Sequence, residues 1–255
     1  MGDTQYAIRE RSNNLPDIAV HEPPMPRRPR CLPVGIPAHI VQRGNNRQVC
    51  FTSDHDMAAY AKWLADGAKK FDLAIHAWVL MANHVHILAT PRDTDSISRC
   101  LQYLGRYYVR YFNDEYGRTG TLFEGRFRAN LVQSQQYFLA CSRYIELNPV
   151  RAGIVQDPAD YVWSSYAAHA FGRRIEMWSA HDEYLALGNS LKSRQTAYRA
   201  LFSSQLGTNV VADIRDSLNK GFALGNQHFR DQVELLTGIR QSYRKRGPKP
   251  KLGSE

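Results

Sequence analysis

The stretch from Leu73 to Thr90 is the feature that most constrains the fold. Its sequence is LAIHAWVLMANHVHILAT, and its many β-branched and aromatic residues favour strands over a helix. Ala82 and Asn83 interrupt the apolar run, so two strands are expected, one on each side of a tight connection. The sequence therefore predicts an antiparallel pair of strands here.

Elements on either side of this pair complete an α+β pattern. Further strands are expected in AHIVQRG and in LFEGRFRANLVQS, and helices at about 54–70, at about 96–116 and from residue 134. Ser53 caps the first helix, Gly117 stops the second, Ser134 caps the third, and Pro149 ends the third. The order strand, helix, strand, strand, helix, strand, helix is typical of a ferredoxin-like antiparallel sheet with helices on one face.

Composition divides the chain into four segments. Residues 1–30 are polar and end in HEPPMPRRPR, which predicts a disordered basic arm. Residues 31–170 hold the α+β domain, and residues 171–240 are predicted to be a helical extension with stops at Gly225 and Gly238. Residues 241–255 contain YRKRGPKPK and are predicted to be a basic tail.

The charge balance indicates a polyanionic partner. Lys and Arg outnumber Asp and Glu by 33 to 24, which gives a formal net charge of +9 and a pI near 9.5. Such a surface suits a nucleic acid better than an acidic surface would.

Neither a membrane span nor a secretory signal is expected. The longest apolar run of the core, residues 77–82, is far shorter than the roughly 18–20 residues that a membrane helix needs. The N-terminal residues contain no continuous apolar stretch. The four cysteines are widely spaced with no C-x-x-C pair, so reduced thiols are predicted. The expected location is the cytoplasm.

Two histidines on the second strand of the pair are candidate metal ligands. His84 and His86 flank Val85, and the period-two alternation of a strand places both rings on one face, about 7 Å apart. Packing alone also explains such a pair, and a metal site needs a third ligand. His76 shares the strand-face parity of Trp78 and is predicted to be a core residue.

The third helix offers that ligand. Tyr144 and Asn148 are four residues apart and so lie on one helical face. Asn148 can offer a carbonyl oxygen to a metal. Tyr144 also continues the apolar stripe of Tyr137, Cys141 and Ile145, so the residues alone equally allow a core tyrosine with Asn148 capping the helix.

Four blocks in fixed order carry a family resemblance between residues 36 and 166. They are IPAHIVQRGNNRQ, AWVLMANHVHILATP, YGRTGTLFEGRFR, and YIELNPVRAGIV followed by WSSY. In these blocks the chain resembles the single-tyrosine HUH transposases and, among them, the REP-associated tyrosine transposases. The family usually has proline where this chain has Ala82, which leaves the ligands intact.

The resemblance implies a site and an activity. His84 and His86 match the metal-ligating histidines of the family, Tyr144 its nucleophile and Asn148 its third ligand. It implies Mg²⁺ or Mn²⁺ as cofactor and a nucleoid-associated enzyme that nicks and rejoins hairpin-forming, REP-like single-stranded DNA through a 5′-phosphotyrosine. Family members act as monomers or homodimers, and both states stay open here.

Basic residues around this site are candidate DNA contacts, because guanidinium groups pair with phosphates. In loops and on a strand they are Arg43, Arg47, Arg118, Arg126 and Arg128. In the tail they are Arg244, Lys245 and Arg246, where a basic segment around Gly-Pro can lie along a minor groove or serve as non-specific charge.

Other aromatic and acidic residues compete for roles. The tyrosines on the second helix are predicted to be mostly core, with one or two available to stack on bases; they are Tyr103, Tyr107, Tyr108 and Tyr111. Glu124 is a candidate for a water-mediated metal contact. Two other functions stay open: a non-cleaving DNA hairpin-binding protein on the same fold, and a metal-dependent hydrolase of small phosphate esters, which would need neither the basic arms nor Tyr144.

Overall fold

The structure, a computed structural model, describes residues 31–242. The predicted arm at residues 1–30 lies outside the described residues, and so do the three tail residues predicted to contact DNA, Arg244, Lys245 and Arg246.

A four-stranded antiparallel sheet forms the centre of the molecule. Its strands are β1 (Ala38–Arg43), β2 (Leu73–Met81), β3 (His84–Pro91) and β4 (Arg128–Leu131). They are ordered β4-β1-β3-β2, with every neighbouring pair antiparallel. Met81 pairs with His84, so Ala82 and Asn83 form the tight connection as predicted. This arrangement confirms the ferredoxin-like α+β class.

Two long helices cover one face of the sheet, as predicted. They are α1 (Asp54–Lys70) and α2 (Ser96–Glu115). Ser53 caps α1 in a reciprocal capping box with Asp56, so the backbone N–H groups of both residues are hydrogen-bonded. Leu64 of α1 and Leu104 of α2 are buried against Ile87 of β3 in the main hydrophobic core.

A third helix covers the opposite face. In α3 (Ser134–Glu146), Phe138, Cys141 and Ile145 pack on Val79 and Leu88 of the sheet. The predicted placement of helices on one face therefore describes α1 and α2, and α3 adds a second layer.

The predicted N-cap of α3 is wrong by one residue, and α3 ends at Glu146, before Pro149. Gln133 occupies the N-cap position, one residue before Ser134. Pro149 does not end a helix but lies in the first turn of α4 (Asn148–Arg151), where its missing N–H costs nothing. The chain therefore continues as a helix past Asn148 after a short break at Leu147.

A β-bulge turns His76 to the face of α3. The register of β2 against β3 shifts between Ile75 and Ala77, and the ring of His76 lies 5.5 Å from that of Phe138. The predicted shared face with Trp78 is therefore wrong, because a bulge breaks the period of two. The predicted core role is confirmed, since His76 bonds to Ser179 O and Thr90 Oγ1, each at 2.9 Å.

The rest of the described chain is largely helical, and the last four of its five α-helices lie within residues 171–240, where a helical extension was predicted. It contains α5 (Tyr166–Phe171), α6 (Asp182–Leu185), α7 (Leu191–Ala200), α8 (Thr208–Lys220) and α9 (Gln227–Thr237). Gly238 ends α9 in a left-handed conformation as predicted, whereas α8 ends at Gly221 instead of the predicted Gly225. None of the helices between residues 31 and 242 is long and apolar enough to cross a membrane. The four cysteines are free thiols, as predicted.

Segments from the later part of the chain cover both edges of the sheet. Leu80 N of β2 donates to Trp163 O at 2.9 Å. On the other side, Leu224 N donates to Leu131 O of β4 at 2.8 Å. Neither edge strand is left with an open row of backbone groups at these points.

Candidate active site

The two predicted metal-ligating histidines lie together on the α3 face of β3. Their ring centroids are 5.1 Å apart. His84 Nδ1 is 2.6 Å from Asn83 Oδ1, and His86 Nδ1 is 2.8 Å from His39 Nε2. Both rings line one cleft. Because each Nδ1 atom is already engaged by the protein, Nε2 is the nitrogen of each ring that can serve a ligand in the cleft.

Both imidazoles are held in the neutral form. Burial, with a contribution from the positive charge of Arg43, lowers the pKa of His84 to about 4. Burial also lowers the pKa of His86 well below its ordinary value, and nearby His39 and His84 add to the effect. Neutral imidazole is the form that binds metals, so the pair is ready for a cation without losing protons first.

His39 is a site residue that the sequence did not reveal. It lies on β1, is fully buried, and its ring stacks on that of His86 with centroids 5.1 Å apart. Burial lowers the pKa of His39 to about 3, so it stays neutral and can accept a hydrogen bond from His86. The motif block AHIVQRG contains this histidine, but only the pairing of β1 with β3 shows which side chain it meets.

Tyr144 and Asn148 approach the histidines from α3 and α4. The ring centroid of Tyr144 is 6.0 Å from that of His86, and only 6% of the tyrosine is exposed. Asn148 Nδ2 donates to Ile145 O at 3.3 Å, which leaves Oδ1 as its atom for a metal. All four predicted residues line the same cleft. Their geometry is thus compatible with the predicted roles, which stay predictions.

The ligand set depends on an amide. Between residues 31 and 242, no three or more His, Cys, Asp and Glu side chains form a group that could hold a metal ion. A cation at His84 and His86 therefore needs Asn148 or water to complete its coordination.

Arg151 is a second residue that the sequence did not reveal. Its guanidinium carbon lies 4.1 Å from the ring centroid of Tyr144, and Nη2 donates to Tyr144 O at 2.7 Å. Burial lowers its pKa, and repulsion from Arg215 acts in the same direction. Arg151 follows Tyr144 by seven residues, a helical repeat, but the predicted stop at Pro149 concealed that relation.

The cleft has a volume of about 770 Å³, and basic side chains far outnumber carboxylates in its lining. Its basic side chains are Arg43, Arg47, Arg126, Arg128, Arg215 and Lys220. Glu124 is the only carboxylate among the lining residues that the structure describes. Four of the predicted arginines are therefore here, whereas Arg118 lies outside the lining and donates to Gln48 Oε1 at 3.1 Å. Such an imbalance of charge favours a polyanion.

The tyrosines of α2 are structural. Tyr108 is buried and its hydroxyl donates to Cys50 O at 2.5 Å, while that of Tyr111 donates to Asp56 Oδ1 at 2.8 Å. Tyr103 and Tyr107 contact each other with centroids 4.6 Å apart. None of the four lines the cleft. The predicted core role is confirmed for Tyr108, whereas Tyr107 is 44% exposed.

A buried polar network fixes the helix that carries Tyr144. Glu146 is 0% exposed and accepts hydrogen bonds from Ser165 Oγ at 2.5 Å, His169 Nδ1 at 2.8 Å and Tyr198 OH at 2.7 Å. These partners come from the WSSY block, α5 and α7. A buried carboxyl with three donors is satisfied, so the network joins α3 to the extension.

A known protein family matches the part of the chain that contains the site residues. Residues 34–148 match the family model described as "Transposase IS200 like". This segment is similar to the IS200-like transposases. The transposase segment runs from the residues before β1 to Asn148 and contains both histidines and Tyr144. The family resemblance of the motif blocks is therefore confirmed for residues 34–148.

Two solved structures are among those similar to this chain. One is a REP-associated tyrosine transposase bound to a REP hairpin, 21% identical, covering 62% of this chain and 93% of its own, with a TM-score of 0.48. Another is a transposase structure from Deinococcus radiodurans, 19% identical, covering 47% and 95%, with a TM-score of 0.33. At these values the two are similar to this chain and decide nothing about its substrate. A search of curated proteins found no match.

Proposed function

We propose that the protein is a metal-dependent single-stranded DNA endonuclease and strand transferase that acts on hairpin-forming, REP-like repeats through a 5′-phosphotyrosine at Tyr144. One observation carries the proposal. Tyr144 lines the same basic cleft as His84 and His86, two neutral imidazoles whose Nε2 atoms are left for a ligand in that cleft. The similarity of residues 34–148 to a transposase family supports DNA as the substrate. The REP-like hairpin is inferred from the motif blocks.

The chemistry assigned to Tyr144 is a phosphoryl transfer. Its phenolic oxygen forms a bond to the scissile phosphorus while the bond to the 3′-side oxygen breaks, which yields a 5′-phosphotyrosine and a free 3′-hydroxyl. A free phenol has a pKa near about 10, so its proton must leave through water during attack while another reaches the departing oxygen. Arg151, stacked on the ring, favours the negative charge that develops.

The second half of the reaction reverses the first. A 3′-hydroxyl attacks the phosphotyrosine, the P–O bond to Tyr144 breaks, and the phenol regains its proton. Because the phosphotyrosine ester preserves the energy of the original phosphodiester, strand joining needs no nucleotide cofactor.

The residues that would hold Mg²⁺ or Mn²⁺ are His84, His86 and Asn148. Neutral imidazoles with Nδ1 already engaged, together with an amide oxygen, form a donor set that suits Mn²⁺ and tolerates Mg²⁺. When bound, the ion would supply Lewis-acid polarisation of the scissile phosphate.

A covalent trapping experiment tests the proposal. A labelled REP-like hairpin strand is incubated with the protein and Mg²⁺ or Mn²⁺, and a denaturant-stable protein-DNA adduct is expected. Tyr144→Phe should abolish the adduct. Tyr137→Phe is the matched control, because this tyrosine is on the same helix but does not line the cleft, and it should leave the adduct unchanged.

Three outcomes contradict the proposal in different ways. An adduct in Tyr144→Phe would reject the nucleophile. Hairpin binding without any adduct in the wild type would favour a non-cleaving binding protein. Cleavage without an adduct, insensitive to Tyr144→Phe, would make water the nucleophile and point to a hydrolase.

A further inference from the structure

Two buried polar atoms lack hydrogen-bond partners where β1 and β4 pair. His39 and Asn130 are directly opposite each other in these strands, and only 0% and 3% of the two residues is exposed. Neither His39 Nδ1 nor Asn130 Oδ1 has a partner among residues 31–242. Leaving a buried donor or acceptor unpaired is costly, and native proteins pair most of them. A donor and an acceptor on opposed residues are therefore expected to serve each other.

The sheet register places both side chains on the α3 face. Opposed residues of antiparallel strands point to the same face, with Cβ atoms about 4.5–5.5 Å apart. The ring of His39 stacks on that of His86, with centroids 5.1 Å apart, and Asn130 lines the same cleft as His86. The three side chains thus run across the adjacent strands β4, β1 and β3, from Asn130 to the candidate metal ligand.

Asn130 has an oxygen to offer. Its Nδ2 atom donates to Leu131 O at 3.5 Å, a distance at which such a bond is weak. The terminal torsion of an asparagine has a broad energy minimum, so a rotation that directs Oδ1 to His39 Nδ1 gives up little. An amide oxygen accepts but cannot donate. This contact therefore requires the proton of His39 on Nδ1.

The position of that proton fixes the proton of the next ring. A neutral imidazole carries a single N–H, so His39 with its proton on Nδ1 has only a lone pair at Nε2. His86 Nδ1, 2.8 Å away, must then be the donor, which leaves His86 Nε2 unprotonated. The other candidate ligand has the same arrangement in direct form, since His84 Nδ1 is 2.6 Å from Asn83 Oδ1.

We propose that Asn130 is a positioning residue, which accepts a hydrogen bond from His39 Nδ1 and thereby keeps His86 Nε2 free for a metal ion in the cleft. The metal-binding role of His86 rests on the proposed function, whereas the chain of hydrogen bonds from Asn130 through His39 to His86 does not. Asn130 acts through His39 and is not itself a ligand. Supporting partners of this kind orient a metal-binding histidine and select its tautomer.

The first test observes the protons in the metal-free protein. With ¹⁵N-labelled histidine, long-range ¹H–¹⁵N spectra show which nitrogen of each ring is protonated, and the signals of a given ring are assigned as those lost when that histidine is replaced by alanine. In the wild type, the protons of His39 and His86 are expected on Nδ1. Asn130→Leu removes the acceptor and keeps a branched side chain of similar shape, and it should move much of the His86 proton to Nε2.

The second test measures Mn²⁺ affinity by electron paramagnetic resonance of the free ion. Asn130→Leu should weaken binding about fivefold, the value of one ordinary hydrogen bond, because only the fraction of molecules with an unprotonated His86 Nε2 binds. In a His39→Ala background the same substitution should have no further effect, because the chain is already broken.

Asn219→Leu is the matched control. Asn219 of α8 also lines the cleft, but it is exposed, and its Oδ1 accepts a hydrogen bond from Arg128 Nη1 at 3.3 Å. The same chemical change there should alter neither the tautomer of His86 nor the Mn²⁺ affinity. Equal melting temperatures would show that each variant is folded, and Asn130→Ala replaces Asn130→Leu if leucine lowers the melting temperature.

The outcomes separate this inference from the proposed function. A wild-type His39 protonated on Nε2, or a His86 tautomer unchanged in Asn130→Leu, rejects the positioning role whether or not the protein binds a metal. An equal loss of Mn²⁺ affinity from Asn130→Leu with and without His39 would reject it too, because Asn130 would then act on the ion directly. If the tautomer shifts as expected but the wild type binds no Mn²⁺, the hydrogen-bond chain is supported and the metal-binding part of the proposed function is overturned.

Discussion

The hydrogen bond between His39 and His86 determines which ring nitrogen of His86 carries the proton. Its Nε2 lies 2.8 Å from His86 Nδ1, while its own Nδ1 is buried without a partner among the described residues. When His86 donates from Nδ1, the lone pair of its Nε2 is free for a cation. When His39 donates instead, the proton of His86 sits on Nε2 and blocks that role. A metal in the cleft would select the first arrangement.

His39→Ala should therefore weaken metal binding without touching a ligand. Loss of such a supporting partner typically costs about tenfold to a hundredfold in affinity. Titration of the protein with Mn²⁺, followed by electron paramagnetic resonance, measures the free ion directly and does not depend on activity. His39→Gln keeps an acceptor and is expected to recover part of the loss. Unchanged Mn²⁺ affinity in His39→Ala would show that His86 needs no orientation from β1.

The sequence was sufficient for some site residues and not for others. Tyr144 and Asn148 follow from helical spacing, and His84 and His86 from strand alternation, with the motif blocks linking the two pairs. The contact of His39 with His86 depends on the register of β1 against β3. That register pairs Val41, two residues after His39, with His86. No local pattern encodes such a register, because it is set by long-range packing of the whole sheet.

At the scale of elements, the bulge in β2 has an energetic consequence. It turns His76 into the layer between the sheet and α3, where the side chain is 4% exposed and both ring nitrogens are bonded. Burial lowers the pKa of His76 to about 4, against the effect of its hydrogen bond to Ser179. His76 of β2 is therefore harder to protonate in the folded protein than in the unfolded chain.

The stability of the protein should fall as the pH decreases from 6.5 towards 4. In that window the unfolded chain binds a proton at His76 and the folded chain does not, so folding is opposed by up to about 3 kcal/mol at the acid end. Above pH 6.5 the effect is absent because both states are neutral. Urea unfolding at pH 7 and pH 4.5 measures it. His76→Gln cannot titrate and should lose less stability between the two pH values; an equal loss in both proteins would contradict the assignment.

Element boundaries show where local signals compete. The capping box at Ser53 and the two-residue connection after Met81 are local, and both were predicted from the sequence. The sequence placed a helix end at Pro149, but a proline in a first turn is as favourable as a proline after a last turn. Only the break at Leu147 distinguishes the two cases. The buried network around Glu146, which spans three helices, is equally non-local.

At the scale of the whole molecule, the cleft is built from three parts of the chain. The sheet supplies the histidines, α3 and α4 supply Tyr144 and Asn148, and the extension supplies Arg215. Gln241, near the last described residue, also lines the cleft. Gln241 is the first residue of the predicted tail, so the described end of the chain lies at the cleft wall.

Replacing residues 243–255 by an uncharged segment of the same length should weaken hairpin binding and lower its salt dependence. For a single strand, the salt slope falls by about 0.7 for every phosphate that the tail no longer neutralises. Because the tail follows the last described helix, the melting temperature is expected to stay the same. Anisotropy titrations at several salt concentrations provide the measurement. A variant with wild-type slope would leave the tail without a role in DNA binding.

The covered edges of the sheet affect how the protein is made. The outer edge of β4 is paired by Leu224, which the ribosome adds long after Leu131. During synthesis, the outer edge of β4 therefore stays unpaired until most of the described chain has left the ribosome. In that period the edge can pair with a strand of another molecule. We expect the newly made protein to depend on chaperones, whereas the finished molecule has no edge of β2 or β4 left at these points for a second copy to extend.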